Sequence, residues 1–339
     1  MNQPTVSLTD VSTYLPGEPV GADYYAQFAG SDDLAANLMF RAPKFRHHVG
    51  PDETAIDMVE RAAQGLIERH GHDVIANVDV LITHTQVPDM GFYGEGAGIA
   101  HRLGLRPSWV LDLNNGGCAA FVLALKVARQ LLSSGQGRTA LIAVTANAAG
   151  HVFDQAGVRR KAQSAVPGDG AAVGLVTLSD QSPILDIECR TYGEYAGDMV
   201  LASDPPRKWW AAGTSELSIG FTETKITKVL ARGNQQVPEV ALAVCDRIGL
   251  SSKDIDLLVT NQPNRVFLRN WRQALEVPES RHLDTFDKCG NLFGAGIPIN
   301  LDHAISDGQV KAGDLVMMAA FAHAGDFAGA AAVRWGGRS

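Results

Sequence analysis

Four cysteines stand in this chain, at 118, 189, 245 and 289, and one of them is placed for chemistry. Cys118 follows the apolar run Val110–Leu113 and a Gly116-Gly117 pair, and it opens the amphipathic stretch that begins at Ala119. A thiol between a strand end and a helix start meets free backbone N–H groups and the positive end of the helix dipole. Both stabilise a thiolate, and the same N–H groups can hold an oxyanion. The position therefore reads as a nucleophile of lowered pKa. A cysteine without that context is usually a small buried apolar residue. Cys189 and Cys245 are read so, and Cys289, beside Gly290-Asn291, is read as packing near the site.

Three polar positions complete a set. Asn261 ends the apolar run Leu257–Thr260, and His323 ends the run Leu315–Phe321. The C-terminal ends of strands are where α/β sheets hold ligands. Histidine is the side chain best matched to proton transfer near neutral pH, and Asp326, three residues on, is close enough to orient it. Asn291 follows Gly290 at a second helix start, where a side-chain amide can donate to a carbonyl; taken alone it is equally a cap. Two glycine-rich strings fail as nucleotide sites. Gly94–Gly98 does not follow a clear strand, and Gly168–Gly174 runs into a strand rather than a helix. The second reads as a turn feeding a tightly packed strand. His47, His48, His70 and His72 have no carboxylate at metal-ligand spacing, so no metal site is expected.

The elements that must position these residues alternate. Short β-branched runs mark strands at Val78–Thr83, Trp109–Leu113, Ala140–Thr145, Ala172–Leu178, Leu257–Thr260 and Leu315–Phe321. They are too continuously apolar to have a wet face, as in central strands covered on both sides. Amphipathic stretches mark helices at Thr54–His70, Gly94–Leu103, Ala119–Ser134, Lys225–Ile248, Arg265–Leu275 and Pro298–Asp307. The segment from Gly193 to Gly220, with Asp204-Pro205-Pro206 and Trp209-Trp210, reads as a loop or lid. The chain also repeats itself. Asp79-Val-Leu-Ile-Thr-His84 matches Asp256-Leu-Leu-Val-Thr-Asn261, and the Gly-led helices at Gly116 and Gly290 each end in a Gly-Gln turn before a strand. A period near 175 residues is too long for a solenoid (~20–50 residues per repeat). It predicts two related halves, residues 1–180 and 181–339, sharing one site.

Composition narrows the function. With 29 Lys+Arg against 37 Asp+Glu the formal charge is −8, which argues against a nucleic-acid partner. No apolar run reaches the ~20 residues that span a membrane, and the first ten residues lack the pattern of a signal peptide. A cytoplasmic protein is expected.

These residues together resemble the thiolase superfamily and, within it, the ketoacyl synthase III branch. The likeness runs from Thr13-Tyr-Leu-Pro16 through Phe45-Arg-His-His48, Gly117-Cys-Ala-Ala-Phe121, Gly168-Asp-Gly-Ala171, Asn261-Gln-Pro-Asn264 and Asp287-Lys-Cys-Gly-Asn291 to Gly313-Asp-Leu-Val316. The resemblance implies a five-layered αβαβα thiolase fold, a homodimer, and a cysteine acylated by a thioester of coenzyme A or an acyl carrier protein, with no permanently bound cofactor. It maps the active cysteine to Cys118 and the active asparagine to Asn291. Two departures bear on function. The family's histidine is replaced by Asn261, and the turn after the last core strand carries His323. In a condensing enzyme the His and Asn pair stabilises the enolate left by decarboxylation, and one lost donor of this kind costs ~10²–10³ in rate. The expectation is acyl transfer, with a malonyl-type group as one candidate, to an acceptor hydroxyl without carbon–carbon bond formation. This is similar to the ketosynthase-III-like acyltransferases of antibiotic pathways, such as the malonyl transfer of cervimycin biosynthesis, where the acceptor is a sugar of a polyketide glycoside. Cys118, His323, Asn291, Asn261 and Asp326 are the expected catalytic set. Trp209, Trp210, Asn264 and Arg265 are expected to meet the donor, and Phe92 or Tyr93 to reach the dimer partner. An acyl shuttle between carrier proteins, a true condensing enzyme and a catalytically silent binding subunit are the alternatives.

Overall fold

Two groups of strands, drawn from successive parts of the chain, build two five-stranded sheets on one plan. The computed structural model describes residues 4–28, 38–220 and 223–338. The first sheet contains β1 (Val6–Tyr14), β2 (Val80–Thr85), β3 (Trp109–Asp112), β4 (Thr139–Ala146) and β5 (Gly170–Leu178), in the order β1-β5-β4-β2-β3. The second contains β6 (Ile184–Thr191), β7 (Leu257–Thr260), β8 (His282–Leu283), β9 (Leu315–Ala322) and β10 (Phe327–Arg334), in the order β6-β10-β9-β7-β8. In each sheet the first two neighbouring pairs are antiparallel and the last two parallel. The repeat in the sequence is thus a repeat in strand order and direction. Its first residues act alike: Asp79 Oδ2 accepts from Thr139 N at 3.1 Å and Asp256 Oδ2 from Leu315 N at 2.9 Å, each tying its strand to the next.

Helix α1 (Ala55–His70) covers the outer face of the first sheet with Met58, Val59, Ala62 and Leu66. The outer face of the second sheet is covered by α4 (Glu223–Ile248), through Val237, Val240, Ala241 and Val244. Short α2 (Gly96–Arg102) follows β2. Between the sheets lie α3 (Ala120–Ser133) and α6 (Gly296–Ser306), and α5 (Arg265–Ala274) packs beside α4. The result is the five-layered thiolase arrangement. Small residues let the middle layer fit. A methyl group on Gly174 of β5 would stand 3.0 Å from the Phe121 ring, and one on Gly329 of β10 would stand 3.0 Å from Val122 Cγ1. The helix is gripped from both sheets at glycines.

All six expected helices form, with ends within two residues of those read from the sequence. One strand differs from expectation. β3 is an edge, not a central strand, and Trp109 and Val110 are about 40% exposed. An apolar run shows that a strand needs cover, not that its own chain supplies it. No helix among the described residues is long and apolar enough to cross a membrane.

Candidate active site

The nucleophile's turn and the histidine's turn are built against each other. From β3 the chain passes Asn114 to Gly116, makes a 3-10 turn at Gly117–Ala119 and enters α3. Gly117 has φ +46°, and a Cβ on it would lie 2.4 Å from His323 Nε2. Glycine is required here twice over: for the left-handed backbone and for the imidazole that lies on its α-carbon. The opposing turn joins β9 to β10. His323 and Ala324 have φ of 46° and 66°, and Gly325 N donates to Ala322 O at 2.7 Å. Two consecutive non-glycine residues in the left-handed region cost roughly 1–2 kcal/mol each, and such strain gathers at functional sites. The turn is held from outside by Gln236 Nε2 donating to Gly325 O at 2.8 Å and Tyr192 N donating to Asp326 O at 2.7 Å.

This geometry orients His323. Nδ1 lies 3.1 Å from Asp326 Oδ1, so the Nδ1–H donates to the carboxylate and the Nε2 lone pair faces the Gly117–Cys118 turn. Burial raises the Asp326 carboxyl above its ordinary range, and His323 opposes the shift. Asn261, fully buried at the end of β7, donates from Nδ2 to Phe321 O at 3.2 Å and favours the charged form of Cys118, while its Oδ1 has no partner among the described residues. Asn291 is fixed by the chain around it. Its N–H donates to Val166 O at 2.9 Å, its carbonyl accepts from Gly168 N at 3.0 Å, and its Oδ1 accepts from Phe293 N at 3.1 Å. The side chain closes a local turn rather than capping a helix, since Leu292 is the cap residue that follows, and Asn291 still lines the site.

One expectation is overturned. Cys118 is not a ready thiolate: burial pushes its pKa up to about 12, against the backbone N–H and Asn261, which pull it down. Removing water from the sulfur outweighs the helix start, whose first turn is a 3-10 turn. A base beside the thiol is therefore needed.

Cys118, Asn261, Asn291 and His323 line one cavity of about 500 Å³, together with Met39, Phe40, Val87, Phe153, Val229 and Phe267. No Lys, Arg, Asp or Glu is among the described residues of its wall. The expected lid does contribute: Met199, Leu201 and Ile219, from a small hairpin of Val200–Ala202 with Ser218–Gly220, form part of the wall. Trp209 and Trp210 do not. They stand 53% and 68% exposed on the loop beyond it. Asn264 reaches the cavity while its Oδ1 caps α5 at Phe267 N, 3.0 Å away. Arg265 is outside the wall, paired with Asp287 and donating to Ala42 O at 3.3 Å. Of the four residues expected to meet the donor, only Asn264 faces the space where a donor would react. The Gly168-Asp169-Gly170 string is a turn into β5, as read, with Asp169 accepting from Val49, Ala149 and Gly150 N–H at 2.7–2.8 Å.

Among the wall residues not singled out in the sequence is His84, at the end of β2. Its signal was present: the repeat that pairs Asp79 with Asp256 sets His84 against Asn261.

Known families match both parts of the chain. Residues 111–193 match the 3-oxoacyl-[acyl-carrier-protein] synthase III model and residues 245–335 its C-terminal model. The β-ketoacyl-[acyl-carrier-protein] synthase III of Alkalilimnicola ehrlichii is 32% identical over 278 residues, 81% of this chain and 83% of that protein. The chain belongs to the ketoacyl synthase III family. It is a transferase of that family. The synthase III of Gloeobacter violaceus is 27% identical over 98% of this chain and 99% of its own length. Among solved structures, the synthase III of Thermus thermophilus superposes with a TM-score of 0.84 at 24% identity, covering 98% of this chain and 99% of that one. The priming β-ketosynthase of the R1128 polyketide pathway does so at 0.84 and 23%, covering 99% and 98%. Both carry the thiolase fold.

Proposed function

We propose that this synthase III chain transfers an acyl group from a thioester to a hydroxyl by way of Cys118, without condensation. The observation that carries the reading is His323, backed by Asp326 and lying on Gly117, while the end of the neighbouring parallel strand offers the amide of Asn261. His323 Nε2 takes the Cys118 thiol proton as sulfur attacks the carbonyl of acyl-CoA or an acyl carrier protein. The carbonyl–sulfur bond of the donor breaks, and the proton leaves with the freed thiol. An alcohol then enters, gives its proton to His323 and attacks the Cys118 thioester. The ester departs, and Cys118 recovers its proton from His323. The Cys118 backbone N–H faces the developing oxyanion. Gly325 N–H does not, because Ala322 O already holds it.

Among the described residues the wall carries no cation, which favours an uncharged acyl group over a malonyl group, whose carboxylate would lose its water without gaining a counter-charge there. The resemblance supplies the acceptor class, a hydroxyl on the sugar of a polyketide glycoside. A second copy of the chain is proposed as the structural partner.

Decarboxylative condensation is the second reading, favoured by the name of the 32% identical relative. The two separate by product. With butyryl-CoA and an alcohol acceptor, wild type forms the ester, and His323→Ala loses ~10²–10⁴ of that rate. With butyryl-CoA and malonyl carrier protein, no carbon dioxide is released. Release of carbon dioxide with a β-ketoacyl product, at a rate unaffected by His323→Ala, establishes condensation instead.

A further inference from the structure

Among the polar groups of the cavity that the acyl-transfer chemistry does not use, His84 is the imidazole. His84 ends β2, is buried, and stands where the second half has Asn261. Its Nδ1 lies 2.7 Å from Leu113 O. A carbonyl can only accept, so Nδ1 carries the proton and Nε2 holds a lone pair. Nε2 has no hydrogen-bond partner among the described residues, yet it is not sealed off, because His84 belongs to the cavity wall. Burial and the neighbouring His323 both disfavour protonation, so the ring stays a neutral acceptor. The flanking packing holds it in place, since a methyl on Gly294 would come 3.0 Å from its Cδ2.

An acceptor fixed in a wall that has no charged side chain among the described residues discriminates by what it leaves unpaired. It rejects a carboxylate by repulsion. It gains nothing from a methylene, and it rewards an O–H or N–H. The donor group has two possible carriers, the acyl chain and the acceptor alcohol. An alcohol deprotonated by His323 must lie against the β9–β10 turn. The wall formed by His84, Thr85, Val87 and Phe153 comes from the first half and is left for the acyl chain.

We propose that His84 Nε2 is a specificity determinant that binds a hydroxyl on the acyl group, making hydroxyacyl thioesters the preferred donors. The proposal rests on the reading that Cys118 is acylated. The test follows acylation of the protein by intact-mass spectrometry with butyryl-CoA, 3-hydroxybutyryl-CoA, 4-hydroxybutyryl-CoA and malonyl-CoA at equal low concentration. One hydroxybutyryl ester is expected to acylate wild type about five- to tenfold faster than butyryl-CoA, and malonyl-CoA slower than either, the gain being that of one buried hydrogen bond. In His84→Phe the ratio of hydroxybutyryl to butyryl rates is expected to fall to about one. A wild-type ratio of one or below for both hydroxy esters overturns the proposal, and it needs no variant to fold. So does a ratio that survives in His84→Phe. Acylation by none of the four esters overturns the acyl-transfer reading itself.

Discussion

At the scale of single residues, the site is a protonated thiol beside a histidine. Cys118, His323, Asp326 and Asn261 were readable because each stands at a strand end or helix start with small neighbours. The direction of the Cys118 pKa was not readable. A helix start argues for a thiolate, whereas desolvation depends on which distant segments close over the sulfur: here β9 and the Phe293 turn. With its pKa at about 12, the thiol's reactive fraction grows with pH across the whole working range. Alkylation of Cys118 by iodoacetamide, followed by peptide mass spectrometry, is expected to accelerate from pH 7 to beyond pH 9. A plateau reached by pH 7 shows that the resting cysteine is a thiolate. The Trp209-Trp210 pair lies outside the cavity wall and is exposed, a placement that follows from the fold and not from the pair's own sequence.

At the scale of elements, the repeat was the strongest signal, and it extends from the sequence to the order and direction of every core strand. Four of these strands escaped the reading, of which β8 is only the two residues His282–Leu283. β1 alternates apolar residues with Ser, Thr and Asp, yet most of it is buried, because Asp10 is met by Arg69 at 2.7 Å, His70 at 2.9 Å and Arg338 at 2.9 Å. No local pattern could announce a partner 328 residues away. β6 mixes charges with its apolar residues. β10 is rich in alanine and looks helical, but only Ala and Gly fit between α3 and α4. β3 escaped in the other sense, as a strand whose outer edge is unpaired among the described residues. An exposed apolar edge is a template for pairing, and Phe92, 93% exposed, stands on the loop that follows β2. The expected outcome is a twofold dimer joined along β3. Sedimentation equilibrium at micromolar concentration reads this, with Trp109→Lys weakening the association. A wild-type monomer contradicts it.

At the scale of the whole molecule, the two halves share one cavity and one buried interior, and burial leaves a pH signature. His48 and His282 are both held neutral, with pKa values lowered to about 4, chiefly by burial. In the unfolded chain each titrates near ~6.5. Between those values the unfolded state binds protons that the folded state does not, so stability falls as pH falls. The slope is about 1.4 kcal/mol per pH unit for each group. The stabilisation is complete above about pH 6.5 and is lost progressively towards pH 4. Urea midpoints are expected to drop from pH 7 to pH 4.5, with a shallower drop in His282→Gln. Midpoints independent of pH in that window contradict the assignment.

In the proposed reaction Cys118 carries the acyl group between donor and acceptor. Intact-protein mass spectrometry after incubation with butyryl-CoA reads this step. Wild type is expected to gain one butyryl group and Cys118→Ala none. An unmodified wild type, or an adduct that persists in Cys118→Ala, contradicts it.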